Sequence, residues 1–157
     1  MSELLDAIYR GDRARVEELL AAGPELDVFE AAAVGRADRV RQLLDEDPSL
    51  ANAWAEDGYQ PLGLASFFGH VEAARLLVER GAEVNSASRN DMKVAPLHSA
   101  VTADDPEARY ELAKLLLEAG AEPNARQQDD YTPLMAAEQS GDERLARLLK
   151  EHGARPD

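Results

Sequence analysis

Apolar residues recur along this chain at helical spacing, in short stretches that each stop at a glycine. The stretches "ARLLVERGA" (74–82), "AKLLLEAGA" (113–121) and "ARLLKEHGA" (146–154) share the pattern. Just ahead of them, Ala73, Leu112 and Leu145 lie three and four residues before the pairs Leu76–Leu77, Leu115–Leu116 and Leu148–Leu149, on one helical face. The glycines that close them, Gly81, Gly120 and Gly153, suit the left-handed turn after a helix. Upstream of each lies a shorter stretch that begins with Pro-Leu and is rich in alanine. Pro61, Pro96 and Pro133 predict first helical turns, where proline fixes φ and no donor is needed. Gly11, Gly35, Gly69 and Gly141 break the chain between a shorter helix and a longer one. The pattern predicts antiparallel helix pairs in which small residues such as Ala65, Ala100 and Ala137 allow close packing.

The pairs repeat. Segments 60–85, 95–124 and 132–157 align on Pro-Leu, an Ala-rich stretch, a leucine run and Gly-Ala, and segments 4–26 and 28–52 fit more loosely. Five units follow, at approximately 2–27, 28–54, 55–87, 88–126 and 127–157, forming one domain over 1–157 with ten helices. No unit could bury its apolar faces alone; stacked, they share one core. The last helix places Arg144, Arg147, Lys150 and Glu151 where a further unit would dock, a polar capping face that predicts a monomer.

The motifs "TPLMAA", "APLHSA" and "QPLGLA", with "GHVEAARLLVERGAEVN", resemble the ankyrin repeat family. Details such as "ELDVFEAAAVG", "SFFGH" and "RNDMKVAPLHSAV" are similar to small bacterial members. The resemblance covers nearly the whole chain and implies an all-α ankyrin-repeat solenoid, with β-hairpin-like finger loops between the later units. Departures are equally legible. Gly11 and Gly35 are only 24 residues apart, too close to hold a first finger. Unit four carries extra residues around "TADDPEARY", where Asp105-Pro106-Glu107 predicts a capped helix start. No unit keeps the family's Thr–His pairing within one motif, because His98 follows Ala95 and Thr132 is followed by Met135.

Charge and chemistry then narrow the function. A net charge of −14 argues against phosphate-backbone binding. No apolar run approaches the length of a membrane span. The start lacks the basic-then-apolar pattern of a leader, so the cytoplasm is the expected compartment. With no cysteine, disulfides, thiolate catalysis and Cys-ligated zinc are excluded. His70, His98 and His152 are expected to serve structural hydrogen bonds, and Asp104-Asp105 and Asp129-Asp130 to cap or turn the chain. No phosphate loop, nucleophile elbow or metal-binding helix motif appears, so neither catalysis nor a cofactor is expected.

The ankyrin arrangement implies a concave surface built from finger tips and first helices. Phe67 and Phe68 are adjacent, so on a helix they point about 100° apart. Phe68 shares a stripe with Leu64 and Ala65 and is expected between units. Phe67, on the stripe of Gly63 and Ser66, is expected in the concavity. Trp54 and Tyr59 flank the preceding finger tip and are expected to converge with Phe67, since Trp and Tyr are common interface anchors. Tyr131 is the counterpart of Tyr59, and Tyr9 that of Phe67. Arg89, Lys93 and Arg126 make the later fingers basic. Met92 and Gln139 complete the candidate partner-binding set. The expected function is protein–protein interaction through the concave face and fingers, as scaffold, inhibitor or regulatory subunit. A solenoid enzyme or small-molecule binder, and an acidic nucleic-acid mimic, stay open as alternatives.

Overall fold

Proline and aspartate set where helices begin. In the computed structural model, which describes residues 2–156, the first helical residue of α5 (Pro61–Phe67), α7 (Pro96–Val101), α8 (Pro106–Glu118) and α9 (Pro133–Gln139) is proline. Asp12 caps α2 (Arg13–Ala21), which follows α1 (Glu3–Tyr9). Asp27 caps α3 (Val28–Val34) through a reciprocal box: Asp27 accepts from the Glu30 amide at 2.8 Å, and Glu30 accepts from the Asp27 amide at 3.0 Å. Asp105 caps α8 as expected, accepting from the Glu107 amide at 3.2 Å. Asp142 caps α10 (Glu143–Glu151). With α4 (Ala37–Glu46) and α6 (Val71–Glu79), ten α-helices form five antiparallel pairs among the described residues.

The pairs stack in register. First helices pack as a row, α1 on α3 on α5 on α7 on α9, and second helices as another, α4 on α6 on α8 on α10. One continuous core runs from Leu4 to Ala154, with Leu44, Leu62, Leu77, Leu97, Leu112 and Leu116 at its centre. Helix α2 is the exception: none of its residues is buried, and Val16, Leu19 and Leu20 only rest against the core.

Polar side chains tie neighbouring pairs together at a fixed place in the repeat. Asn52 donates to the Gly81 carbonyl (3.0 Å) and accepts from the Glu83 amide (2.9 Å). Asn85 makes the same two bonds to Gly120 and Glu122, and Asn124 to Gly153 and Arg155. Each asparagine thus satisfies a carbonyl left open at the helix end of the next unit. The histidines act between units as well. His70 Nε2 lies 2.9 Å from the Ala33 carbonyl, and its ring packs so closely on Gly35 (φ 79°) that a Cβ there would strike it. His98 Nδ1 accepts from the Ala95 amide (3.2 Å), while Nε2 faces the Ala125 carbonyl at 2.9 Å. That geometry requires the neutral ring protonated on Nε2. Burial lowers the pKa of both His70 and His98, opposed by their backbone hydrogen bonds.

Only six residues, 22–27, join α2 to α3, whereas residues 47–60, 80–95 and 119–132 form long fingers. No described residue lies in a strand. Each finger instead closes by one backbone bond: Ala55 to Tyr59 (2.8 Å), Ser88 to Val94 (2.9 Å) and Gln127 to Tyr131 (3.0 Å). Neighbouring fingers are joined by the Arg89 amide to the Gly58 carbonyl (2.8 Å) and the Gln128 amide to the Met92 carbonyl (3.0 Å). Gly58 has φ 88°, and a Cβ on it would stand 2.6 Å from the Arg89 oxygen, so this approach requires glycine. The finger tips hold left-handed residues without that freedom, at Lys93, Asp129 and Asp130.

Two placements differ from expectation. Arg144 does not lie on the terminal docking face. Its guanidinium sits 3.7 Å from the Tyr110 ring centroid and 2.9 Å from Glu107, because the longer α8 offers it both an aromatic face and a carboxylate. Arg147, Lys150 and Glu151 are the residues that line that face, beside Glu138. Ser66, expected on the concave stripe with Phe67, is fully buried: at this position the neighbouring first helices close over a small side chain. Its hydroxyl has no hydrogen-bond partner.

Candidate binding surface

The concave face is built from first helices and fingers, and its side chains sort into three groups. The first gathers around α5. Phe67, the last residue of that helix, is 49% exposed, and Phe68 at the cap is half-buried. The two rings meet edge to face with centroids 4.9 Å apart. Phe68 also stacks on Tyr9 from α1, with centroids 6.1 Å apart. The Tyr9 hydroxyl donates to Asp57 Oδ2 on the first finger at 2.8 Å. Burial, then this hydrogen bond and the Asp57 charge, push the Tyr9 pKa up, so the phenol stays protonated. Tyr59 Oη lies 4.0 Å from Met92 Sδ on the next finger.

These groups line one groove of about 580 Å³ whose walls come from α1, α5, α7 and all three fingers. Gly63, where a Cβ would meet nothing within 4 Å, lies in its lining, as do Thr102 and Gln127. Three large apolar side chains are exposed among the described residues, namely Tyr9 (38%), Phe67 (49%) and Met92 (46%), and all three face this groove. It thus brings together Tyr59, Phe67 and Met92 of the residues singled out from sequence. Tyr9 joins them through Phe68, because α3 offers only Ala33 and Val34 at the positions where α5 carries Phe67 and Phe68.

Trp54 forms a second group. It does not converge with Tyr59 and Phe67 but lines a separate cleft of about 260 Å³ with Phe29 and Asp27. The Arg89 guanidinium covers it, 3.9 Å from a ring centroid. Asp57 stands between the two clefts and lines both. The third group is in the last unit, where the Tyr131 hydroxyl bonds the Gln139 side chain. Arg126 reaches the Asp130 carbonyl at 3.2 Å, and Lys93 is exposed at its finger tip. His152 Nδ1 sits 3.1 Å from the Leu148 carbonyl. Among the described residues no three His, Asp or Glu side chains gather as a metal site, and no helix is long and apolar enough to cross a membrane.

Sequence reasoning missed the asparagine ladder and the reach of Tyr9 to Asp57. The first had a signal, since Asn52, Asn85 and Asn124 all close the turn after a second helix. The second had none, because Tyr9 and Asp57 are 48 residues apart.

A model of ankyrin repeats in three copies matches residues 4–88 and 28–127, and a single-repeat model matches residues 129–157. The chain belongs to the ankyrin repeat family. Ankyrin repeats are generally protein–protein interaction modules and are typically non-enzymatic. The mouse ankyrin repeat and SAM domain-containing protein 6 is 33% identical over 88 residues, 52% of this chain and 10% of that protein. The Arabidopsis thaliana serine/threonine-protein kinase VIK is 42% identical over 64 residues, 41% of this chain and 14% of the kinase. The human DNA-binding protein RFXANK is 37% identical over 68 residues, 43% of this chain and 26% of its own length. The chain therefore corresponds to a small part of each of these much longer relatives.

Proposed function

We propose that this ankyrin chain works as one protein-binding unit over 1–157, holding a protein partner on the concave face of units three and four. The observation that carries this reading is the gathering of Tyr9, Phe67 and Met92, exposed and apolar, on one groove. Exposed apolar groups concentrated in one place mark interaction surfaces more often than chance scatter does. The groove is backed by a packed helix row, so little ordering entropy is lost on contact. Trp54 under Arg89, the Tyr131–Gln139 pair, and Lys93 and Arg126 flank it as a polar and aromatic rim. Scaffolding, inhibition and regulation would all use this surface. The terminal face of Arg147, Lys150 and Glu151 supports a monomeric state, which light scattering at micromolar concentration tests.

A photo-crosslinking residue placed at Thr102, on the groove, and in parallel at Lys114, exposed on α8, tests the reading in the source cell. A protein adduct is expected at Thr102 and not at Lys114. Equal adducts at both positions, or none, would remove it.

A further inference from the structure

The chain has ten glycines, and nine of them have positive φ, where glycine relieves strain. Gly63 is the exception. It lies inside α5 with no left-handed backbone to accommodate. Close packing does not require it either, since a Cβ added there would meet nothing within 4 Å. Glycine weakens a helix relative to alanine, so α5 carries a residue that its own folding does not call for. The matching positions in units four and five hold His98 and Met135. What the missing side chain does leave is bare backbone and open space in the groove lining that Gly63 shares with Tyr59, Phe67 and Met92. Glycine where backbone has no conformational need for it is the residue that lets a ligand come close.

We infer that the space over Gly63 receives one bulky apolar side chain of an extended peptide, with a Lys or Arg close by in the peptide meeting Asp57. This rests on the protein-binding reading above and names the chemistry of the partner. Four aromatic rings and Met92 share the groove lining with Gly63, so the guest side chain is apolar. Asp57 is the one formally charged residue that lines the groove, and the chain carries −14 overall. Arg89, Lys93 and Arg126 lie outside that lining. The neighbouring guest residue is therefore cationic, positioned for the carboxylate and for the flanking tyrosine faces. The groove crosses units one, three, four and five, a path that fits extended chain.

Panning a phage-displayed library of random dodecapeptides on the full chain tests this, followed by fluorescence anisotropy of the enriched peptides. They are expected to carry a large apolar residue with Lys or Arg within four positions. Gly63→Leu should fill the space, melt no lower than the wild type, and weaken these peptides by about 30-fold or more. Asp57→Asn, which still accepts from Tyr9, should weaken them about 5- to 10-fold. No enrichment, enriched peptides without the apolar–basic pattern, or unchanged binding to Gly63→Leu would overturn the inference. So would a wild-type dimer that Gly63→Leu dissolves, which would give the groove to a second copy. A cellular partner crosslinked at Thr102 that binds Gly63→Leu unchanged would overturn this inference and leave the protein-binding reading standing.

Discussion

The first unit and the fourth are built from the same plan and are held in opposite ways. In unit four, α7 and α8 are packed on both sides, and Leu97, Leu112 and Leu116 are fully buried. Asparagines above and below tie it to its neighbours, and Arg109 pairs with Asp142 at 3.0 Å with both side chains largely covered. In unit one, α2 buries nothing, no finger follows it, and no asparagine joins it to unit two. The Tyr9 stack on Phe68 and the Tyr9–Asp57 bond attach it on the concave side. Among the described residues unit one packs against other units on one side rather than two, so it draws its stability here from a single interface. Here part of that interface is also the wall of the binding groove.

The largest effect should separate the two units directly. Leu116→Ala removes a fully buried side chain with no room to collapse and should cost about 3–4 kcal/mol. Leu20→Ala, on the half-buried face of α2, should cost about 1 kcal/mol or less. Urea titration of both variants checks the contrast, and similar losses would mean that unit one is as integral as unit four. Next comes Phe68, the ring that joins them. Phe68→Ala should cost about 2–4 kcal/mol, because its ring packs on the core and stacks on Tyr9, and Phe67→Ala well under 1 kcal/mol, since half of that ring faces solvent. Paired melts decide it, and the amides of α1 should lose hydrogen-exchange protection in Phe68→Ala alone. Asn85→Ala should follow, at about 1–2 kcal/mol for two bonds between units three and four. A loss within error would make the ladder decorative.

The smallest effect concerns pH. His70 and His98 are held neutral with lowered pKa values, while the unfolded chain takes up protons near the ordinary 6.5. Between these values the unfolded state binds more protons, so stability is full above about pH 6.5 and falls as the solution is acidified. His98→Gln should flatten this dependence, because glutamine at this position can still accept from the Ala95 amide. Urea midpoints at about pH 7.5 and 5.5 for both proteins give the answer; parallel losses would remove His98 as the cause.

The sequence by itself determined the number of units, their helix pairs and the absence of a first finger. Those features are local: proline, aspartate caps and glycine act within a few residues of where they stand, and leucine spacing follows from one helical turn. It also marked Tyr59, Phe67 and Met92 as candidates. What the sequence did not determine is which distant side chains meet. Trp54 lies in the same finger that carries Asp57 and Tyr59, yet the finger's turn sends it to Arg89 and the other cleft. Arg144 has the spacing of an outward cap residue, yet the length of α8 brings Tyr110 and Glu107 within its reach. Tyr9 reaches Asp57 past unit two, which carries only Ala33 and Val34 at the repeat positions of Phe67 and Phe68. Such meetings depend on how the units rotate and rise on one another, which the buried faces of successive helices decide together and no single repeat encodes.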